Sequence, residues 1–513
     1  MLNFINMKKH IFFLVLILTI SINSFSQEKF NKRINLGFEE PTAKNVFITD
    51  TGYVMMGGTW INNKINVLIA FTNFNGIYLS RKVYGDTIWN YYHGDYNEGI
   101  KTLDGGYALA GSGVTGLYPD TDTNFVYLVR LDKNFDTLWT KRLLVDTFQI
   151  MGNGLTETKD KGFIIVGTTD RDSTGLYKNH PSALLLKVDS LGNYQWHKCI
   201  GGSRGDEFHK VIQTPDGGYL CGGWTASWQE YLPTTQVYRS KWWIVKTNSL
   251  GEVEWQKMYG DTSAGFRELR IGDMIMSSDT SYYIVSGRTQ IASTNDIFSK
   301  ACIVKLNSDF SQAYERVYGE TSWADYFMSI AETPDHNLVV LGSTSQSNFG
   351  KRATIYKLNA NGDSLWSHQY TAVDTINTDN VGSAIKPTPD GGYIFAGFFS
   401  SGSLNPTQQL WLVKTDSMGC DGSTWWPCNI SAIEKPVAVN GVLLYPNPAN
   451  TQITLQFENN EYENEPIYLY NISGKLVKQS AVISSSTTIL VNDLPSGLYL
   501  IKVGKWMRKL IIE

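Results

Sequence analysis

His209 stands within three residues of Asp206 and Glu207, a grouping from which a general base or a metal ligand could be built. A single histidine beside acids is more commonly a solvated surface group, and no second ligand stands at metal-site spacing. The expectation is an exposed polar cluster and no metal. Asp120, Asp122 and Asn124 alternate as the first ligands of a calcium loop do, but its glycine and distal glutamate are missing. No nucleophile elbow, H-E-x-x-H, phosphate loop or dinucleotide fingerprint occurs, so no cofactor is expected. Acids are scattered, and no carboxylate pair for glycoside cleavage stands out. What remains is aromatic chemistry. Trp224, Trp228, Tyr231 and Tyr238 crowd one stretch among polar residues, and Tyr177 and Tyr118 occupy the matching stretches of earlier repeats. Aromatic faces bordered by polar groups stack on sugars or clasp a peptide; the same rings could equally fill the core of their own loop.

These residues are held by a repeat. An apolar stretch, D-G-G-Y, a second apolar stretch ending in glycine, a variable loop, L-V-K-x-D, a turn and W-x-x-x-Y-G recur, most clearly from Val211 to Asp261. The D-G-G-Y element stands at Asp104, Asp216 and Asp390, with degenerate copies at Asp50, Asp160, Asp279 and Asp335. Seven copies follow one another at roughly 55 to 60 residues. Each copy predicts four short strands: two flank the D-G-G turn, a third follows the variable loop, and a fourth carries Trp139, Trp196, Trp255, Tyr314 or Trp366. Four strands per repeat predict an all-β, seven-bladed β-propeller, with the fourth-strand aromatics packed between blades. The seventh copy stops at Gly419 without its last strand, while Phe30 to Asn35 is an orphan matching Trp255 to Gly260. That segment is expected to complete the last blade. The loops between second and third strands, longest in the fourth copy, would gather on one face.

Composition narrows the class. Apolar residues make up 42% and charged residues 18%, enough for a core and against wholesale disorder. A net charge of -4 gives no basic face for nucleic acid. Lys8, Lys9 and the apolar run from Ile11 to Ile20 read as an export signal over residues 1–26, cut after Ser26. The run is too short to span a bilayer, and no other segment is long and apolar enough. Cys420 and Cys428 flank a Gly/Trp/Pro-rich segment and are expected to pair outside the cell; Cys199 and Cys221 read as plain core residues.

The body, residues 27–428, resembles over most of residues 30 to 419 the glycine- and tryptophan-rich propeller repeats of secreted bacterial proteins, the SBBP-like and delta-type families, through its D-G-G-Y and K-x-D…G…W elements. That resemblance speaks to fold. After a linker at 429–440, residues 441–513 read as a small Ig-like β-sandwich. They carry, in order, Tyr445-Pro446-Asn447-Pro448, Ser473-Gly474-Lys475, Pro495-Ser496-Gly497-Leu498-Tyr499 and a basic-apolar close at Lys509 to Glu513. This set resembles the type A sorting domain of type IX secretion substrates. It implies export, handling by the type IX machinery, and a protein that is secreted or attached to the outer-membrane surface. The sequence reads as a non-enzymatic binding protein for a glycan or protein ligand. The alternative is an extracellular polysaccharide hydrolase or lyase using the same loop-rich face.

Overall fold

The computed structural model describes residues 28–422 and 442–512, less 38, 87, 93–98, 115–123, 146–148, 172–176, 229–230, 233–236, 239, 260–265, 269, 292–296, 320–323, 347–349, 373–377, 402–407, 446, 448, 458–461, 463, 472–474, 483 and 505. The expected signal (1–26) and linker (429–440) lie outside the described residues. The chain divides into two compact units, one ending at Gly422 and one beginning at Ser423.

The described residues of the first unit contain strands and turns and no α-helix. Each sequence repeat forms one four-stranded antiparallel module, here numbered one to seven along the chain. Module four, for example, comprises Asp206–Gln213, Tyr219–Thr225, Lys241–Thr247 and Val253–Tyr259. First strands are split in modules two and five, and a single parallel bridge, Ser299 to Ala324, joins module five to six. The middle two strands are covered on both faces, so they read as near-continuous apolar runs instead of alternating. The first strands stay mostly buried, as in Ile150–Glu157, whereas the fourth strands are mostly exposed or half-buried, as in Thr137–Leu143.

Two motif elements turn out to be partners. At the D-G-G turn the aspartate caps its own backbone: Asp216 accepts from Thr214 Oγ1 and Gly218 N. Its other oxygen lies 2.8 Å from Lys246 Nζ, the lysine of L-V-K, on the third strand. The clamp recurs as Asp104–Arg130, Asp160–Lys187, Asp279–Lys305, Asp335–Lys357 and Asp390–Lys414. The first glycine of the turn supplies positive φ, 88° at Gly217; degenerate copies force Lys161, Thr280 and His336 into the same region. The second glycine admits the third strand, because a Cβ on Gly218 would press into the Thr247 carbonyl.

Neighbouring modules share their cores. Phe47 and Met56 of module one pack with Tyr107 and Leu131 of module two. The series continues through two–three, three–four, four–five, five–six and six–seven. It closes where Ile394 and Leu412 of module seven meet Met55 and Leu68 of module one. Trp139, Trp196, Trp255, Tyr314 and Trp366 each pack against one of these shared cores. The orphan segment Phe30–Ile34 is the fourth strand of module seven, paired antiparallel with Gln408–Thr415. Its register sets Phe30 opposite Lys414 as Trp255 stands opposite Lys246.

A polar belt follows the first strands. Asn45 Nδ2 donates to Gly99 O (2.5 Å), Gly152 N to Ser112 Oγ (3.1 Å), and Asn153 Nδ2 to Phe208 O (3.0 Å). Lys210 pairs with Asp273, Ser329 Oγ donates to Asp273, and Ile385 N donates to Ser329 Oγ. Most of these first strands carry a β-bulge where the belt passes.

The second unit is a sandwich of a three-stranded and a four-stranded sheet around one core that includes Ile453, Leu469, Ile501 and Leu510. Its motif residues are structural. Asn447 of the opening motif donates to Lys509 O (2.8 Å) and accepts from Ile511 N (2.8 Å), stitching the start of the unit to its last strand. Tyr499 donates its hydroxyl to Pro495 O (2.6 Å), which fixes the P-S-G-L-Y corner.

Candidate binding face

Trp224, Trp228, Tyr231 and Tyr238 lie in module four, at and beyond the end of its second strand. Trp228 follows the second strand, and its side chain is 44% exposed. Below it, Trp243 lies at a centroid distance of 5.6 Å; Trp243 is fully buried and stacks on Phe208 at 4.9 Å. The exposed ring therefore rests on a column of buried aromatics and keeps one orientation. Gly202 passes close beneath, where a Cβ would meet Ser227 and the Trp228 ring.

The backbone around Trp228 is pinned by one buried carboxylate. Asp206 accepts from Gly202 N (2.9 Å) and Ser227 Oγ (2.6 Å) on one oxygen, and from Thr225 Oγ1 on the other. Arg204 N donates in turn to Ser227 Oγ (3.0 Å). Asn380 does the same work in module seven, accepting from Ala372 N (2.7 Å). Asp206 is therefore a loop anchor and not a candidate acid.

Trp224 lies on the second strand itself and not in the loop where the sequence reading put it. It is half-buried, and its indole N–H donates to Glu207 Oε2 (2.9 Å). Asn153 Nδ2 donates to Glu207 Oε1 (2.7 Å), and His209 Nε2 lies 3.5 Å from the same oxygen. Burial alone would push the Glu207 carboxyl up; the His209 ring, Arg270 and the Trp224 indole outweigh it and hold the carboxyl down to about 2. Glu207 stays ionised and occupied.

The expectation that His209 is a solvated surface group is overturned: its side chain is 0% exposed. It is the extra residue of a bulge between Phe208 and Lys210, and the bulge re-aims it inward. Tyr231 and Tyr238 stand opposite each other on a short hairpin, Tyr231–Leu232 with Val237–Tyr238, and Tyr177 begins the third strand of module three. The side chains of these three, and Tyr118 altogether, lie outside the described residues, as do Asp120 and Asp122. Asn124 Nδ2 donates to Gln149 Oε1 (3.3 Å). Cys420 is disulfide-bonded; its expected partner Cys428 lies outside the described residues. Cys199, Cys221 and Cys302 are not disulfide-bonded; Cys221 and Cys302 are buried, whereas Cys199, expected in the core, is half-buried.

Residues 443–513 match the family described as the secretion system C-terminal sorting domain. The chain thus carries a type IX sorting domain, handled by the type IX machinery, and the protein is secreted or held at the cell surface. A curated relative, β-agarase A of Zobellia galactanivorans, is 33% identical over 81 residues, covering 16% of this chain and 15% of its own length. The chain thus spans only a small part of that relative. Among solved structures, an ulvan lyase of polysaccharide lyase family PL25 is similar at 9% identity and a TM-score of 0.47, over 76% of this chain and 96% of the lyase. PorZ, a surface component of the type IX secretion system of Porphyromonas gingivalis, is similar at 10% identity and a TM-score of 0.30, over 91% of this chain and 70% of its own. Likenesses this low carry no argument about activity.

Proposed function

We propose that this is a non-enzymatic binding protein of the cell exterior that takes glycan ligands on the loop-rich face of module four. The observation that carries the reading is Trp228, an exposed ring held rigid by the Trp243–Phe208 column beneath it and by the Asp206-pinned loop around it. A preorganised aromatic face loses little entropy on stacking against a sugar ring. In this proposal Tyr231, Tyr238, Tyr177 and Tyr118, the aromatics of the same and the matching stretches, extend the platform. The Cys420–Cys428 disulfide would close the body at its end, and cleavage after Ser26 would free Gln27 as the mature start.

The alternative, a polysaccharide hydrolase or lyase, needs a carboxylate free to meet substrate. Asp206, which pins the Trp228 loop, and Glu207, which holds the Trp224 indole, are both committed to internal partners. The test is a glycan array probed with the secreted protein and its Trp228→Ala variant, followed by product analysis on every glycan bound. Binding that depends on Trp228 without product supports this reading. Turnover of a bound glycan would move the assignment to the enzyme.

A further inference from the structure

The two sheets of the second unit differ in what they show to solvent. In the three-stranded sheet, Gln452–Phe457 and Ser486–Leu490 turn Gln452, Thr454, Gln456, Ser486, Thr488 and Leu490 outward, polar but for the leucine. That is the usual outer face of a sandwich. The four-stranded sheet is built from Pro466–Asn471, Leu476–Ala481, Gly497–Val503 and Trp506–Ile512. Its inward residues, among them Ile467, Leu469, Ile501 and Leu510, make the core. The alternate residues face away from that core, and most of them are apolar as well.

Register sets Tyr468, Lys502 and Met507 in one row across three strands, Tyr470, Leu500 and Lys509 in the next, and Leu498 beside Ile511. The Tyr468 and Tyr470 rings lie 6.2 Å apart. Leu498, Met507 and Ile511 are 42%, 50% and 43% exposed. Single exposed apolar residues are ordinary, but neighbouring ones on one sheet face mark a surface that a partner covers. The four strands contain no acidic residue and four cations, Lys478, Lys502, Arg508 and Lys509. Lys478 pairs with Asp493, whereas the Lys502 and Lys509 side chains make no hydrogen bond or ion pair among the described residues. The face also carries motif residues. Leu498 of the P-S-G-L-Y corner and Lys509 and Ile511 of the basic-apolar close turn their side chains outward, where the core makes no use of them.

We propose that this outer face, from Tyr468 and Tyr470 across Leu500 to Met507 and Ile511, is the surface by which the sorting domain docks on a protein of the type IX machinery. Its partner surface is an apolar patch rimmed by carboxylates. The aromatic and aliphatic side chains form the buried centre of the contact, and Lys502 and Lys509 meet the acids at its edge. This inference rests on the sorting role of residues 443–513 and is independent of the Trp228 platform.

The test is export of the full chain from a bacterium that has the machinery, read as the ratio of extracellular to periplasmic protein, with an unfolding curve for every variant. Met507→Glu and Ile511→Glu, which place a carboxylate on the apolar face, should each lower the ratio about tenfold or more with unfolding unchanged. Lys502→Glu with Lys509→Glu should lower it too, and Lys502→Arg with Lys509→Arg should preserve it. Leu490→Glu, the same change on the opposite sheet, should leave it unchanged. Normal export of the Met507 and Ile511 variants, or an equal loss with Leu490→Glu, would overturn the proposal. So would a dimer of the chain, or binding to anionic lipid vesicles, that Ile511→Glu abolishes while export continues; the occupant would then be a second copy or a membrane. Deleting residues 443–513 checks the sorting role separately. Export of the deleted chain would remove that role, whereas its retention beside normal export of the surface variants would sink the face alone.

Discussion

Lys414 is wholly buried and Asp390, its partner at 2.8 Å, is only 10% exposed, so this clamp is the most enclosed of the six. Asp390→Ala would leave a buried ammonium unpaired and should cost about 3 to 5 kcal/mol in urea unfolding. Asp104 makes the same clamp with a side chain 65% exposed, and its alanine variant should cost about 1 kcal/mol or less. Equal losses at the two sites would contradict the burial argument. The turn hydrogen bonds and clamps hold the Asp104 and Asp216 carboxyls down to about 2. A depressed carboxylate stabilises fully above its unfolded value and loses that contribution as pH falls through its folded value. Stability of the first unit should therefore be flat with respect to these groups at neutral pH and fall as pH drops from about 4 to about 2. Asp216→Asn should flatten that acid limb in a pH series of unfolding midpoints. The aspartate and the lysine were each visible as motif letters, but their pairing was not, because they lie on different strands. Their joint recurrence in six copies was the signal available; module one, with Phe71 at the lysine position, lacks the clamp.

The strand Phe30–Ile34 carries the closure. Phe30 is buried in the core shared by modules seven and one, and Trp411 Nε1 donates to Asn31 Oδ1 (2.7 Å) from the neighbouring strand. Phe30→Ala should cost about 3 to 5 kcal/mol, measured by chemical denaturation. A loss below about 1 kcal/mol would mean that the strand is an ornament on a unit already closed. Turns offer a gain of opposite sign. Thr280 holds φ at 64°, where a β-branched residue is strained and glycine is not. Thr280→Gly should stabilise by about 1 kcal/mol, read as a shift in urea midpoint. The strand exchange and the glycine turns were legible in the sequence, because a missing last strand and an orphan first one match in pattern. The bulges were not. One extra residue reverses which face a side chain takes, and nothing in Phe208-His209-Lys210 announces it, so His209 was placed in solvent when it is buried.

At the scale of the molecule, an all-β body built from four-stranded modules and a separate C-terminal sandwich were both readable from spacing and motif order. The sorting domain was the most legible part, because its motif residues are its structural corners: Asn447, Pro495 and Tyr499 each make the bonds that fix the sandwich. Removing residues 443–513 should leave the first unit folded but trapped behind the outer membrane, as cell fractionation would show. The proposed binding face was legible only as a cluster of aromatics; that Trp228 rests on Trp243 while Trp224 is tied to Glu207 depends on contacts between strands. Glycan binding at Trp228 carries the proposed function. A glycan array comparing the secreted protein with its Trp228→Ala variant tests it most directly. Binding should fall about tenfold or more in the variant while the unfolding curve is unchanged; equal binding by both proteins, or by neither, would overturn the proposal.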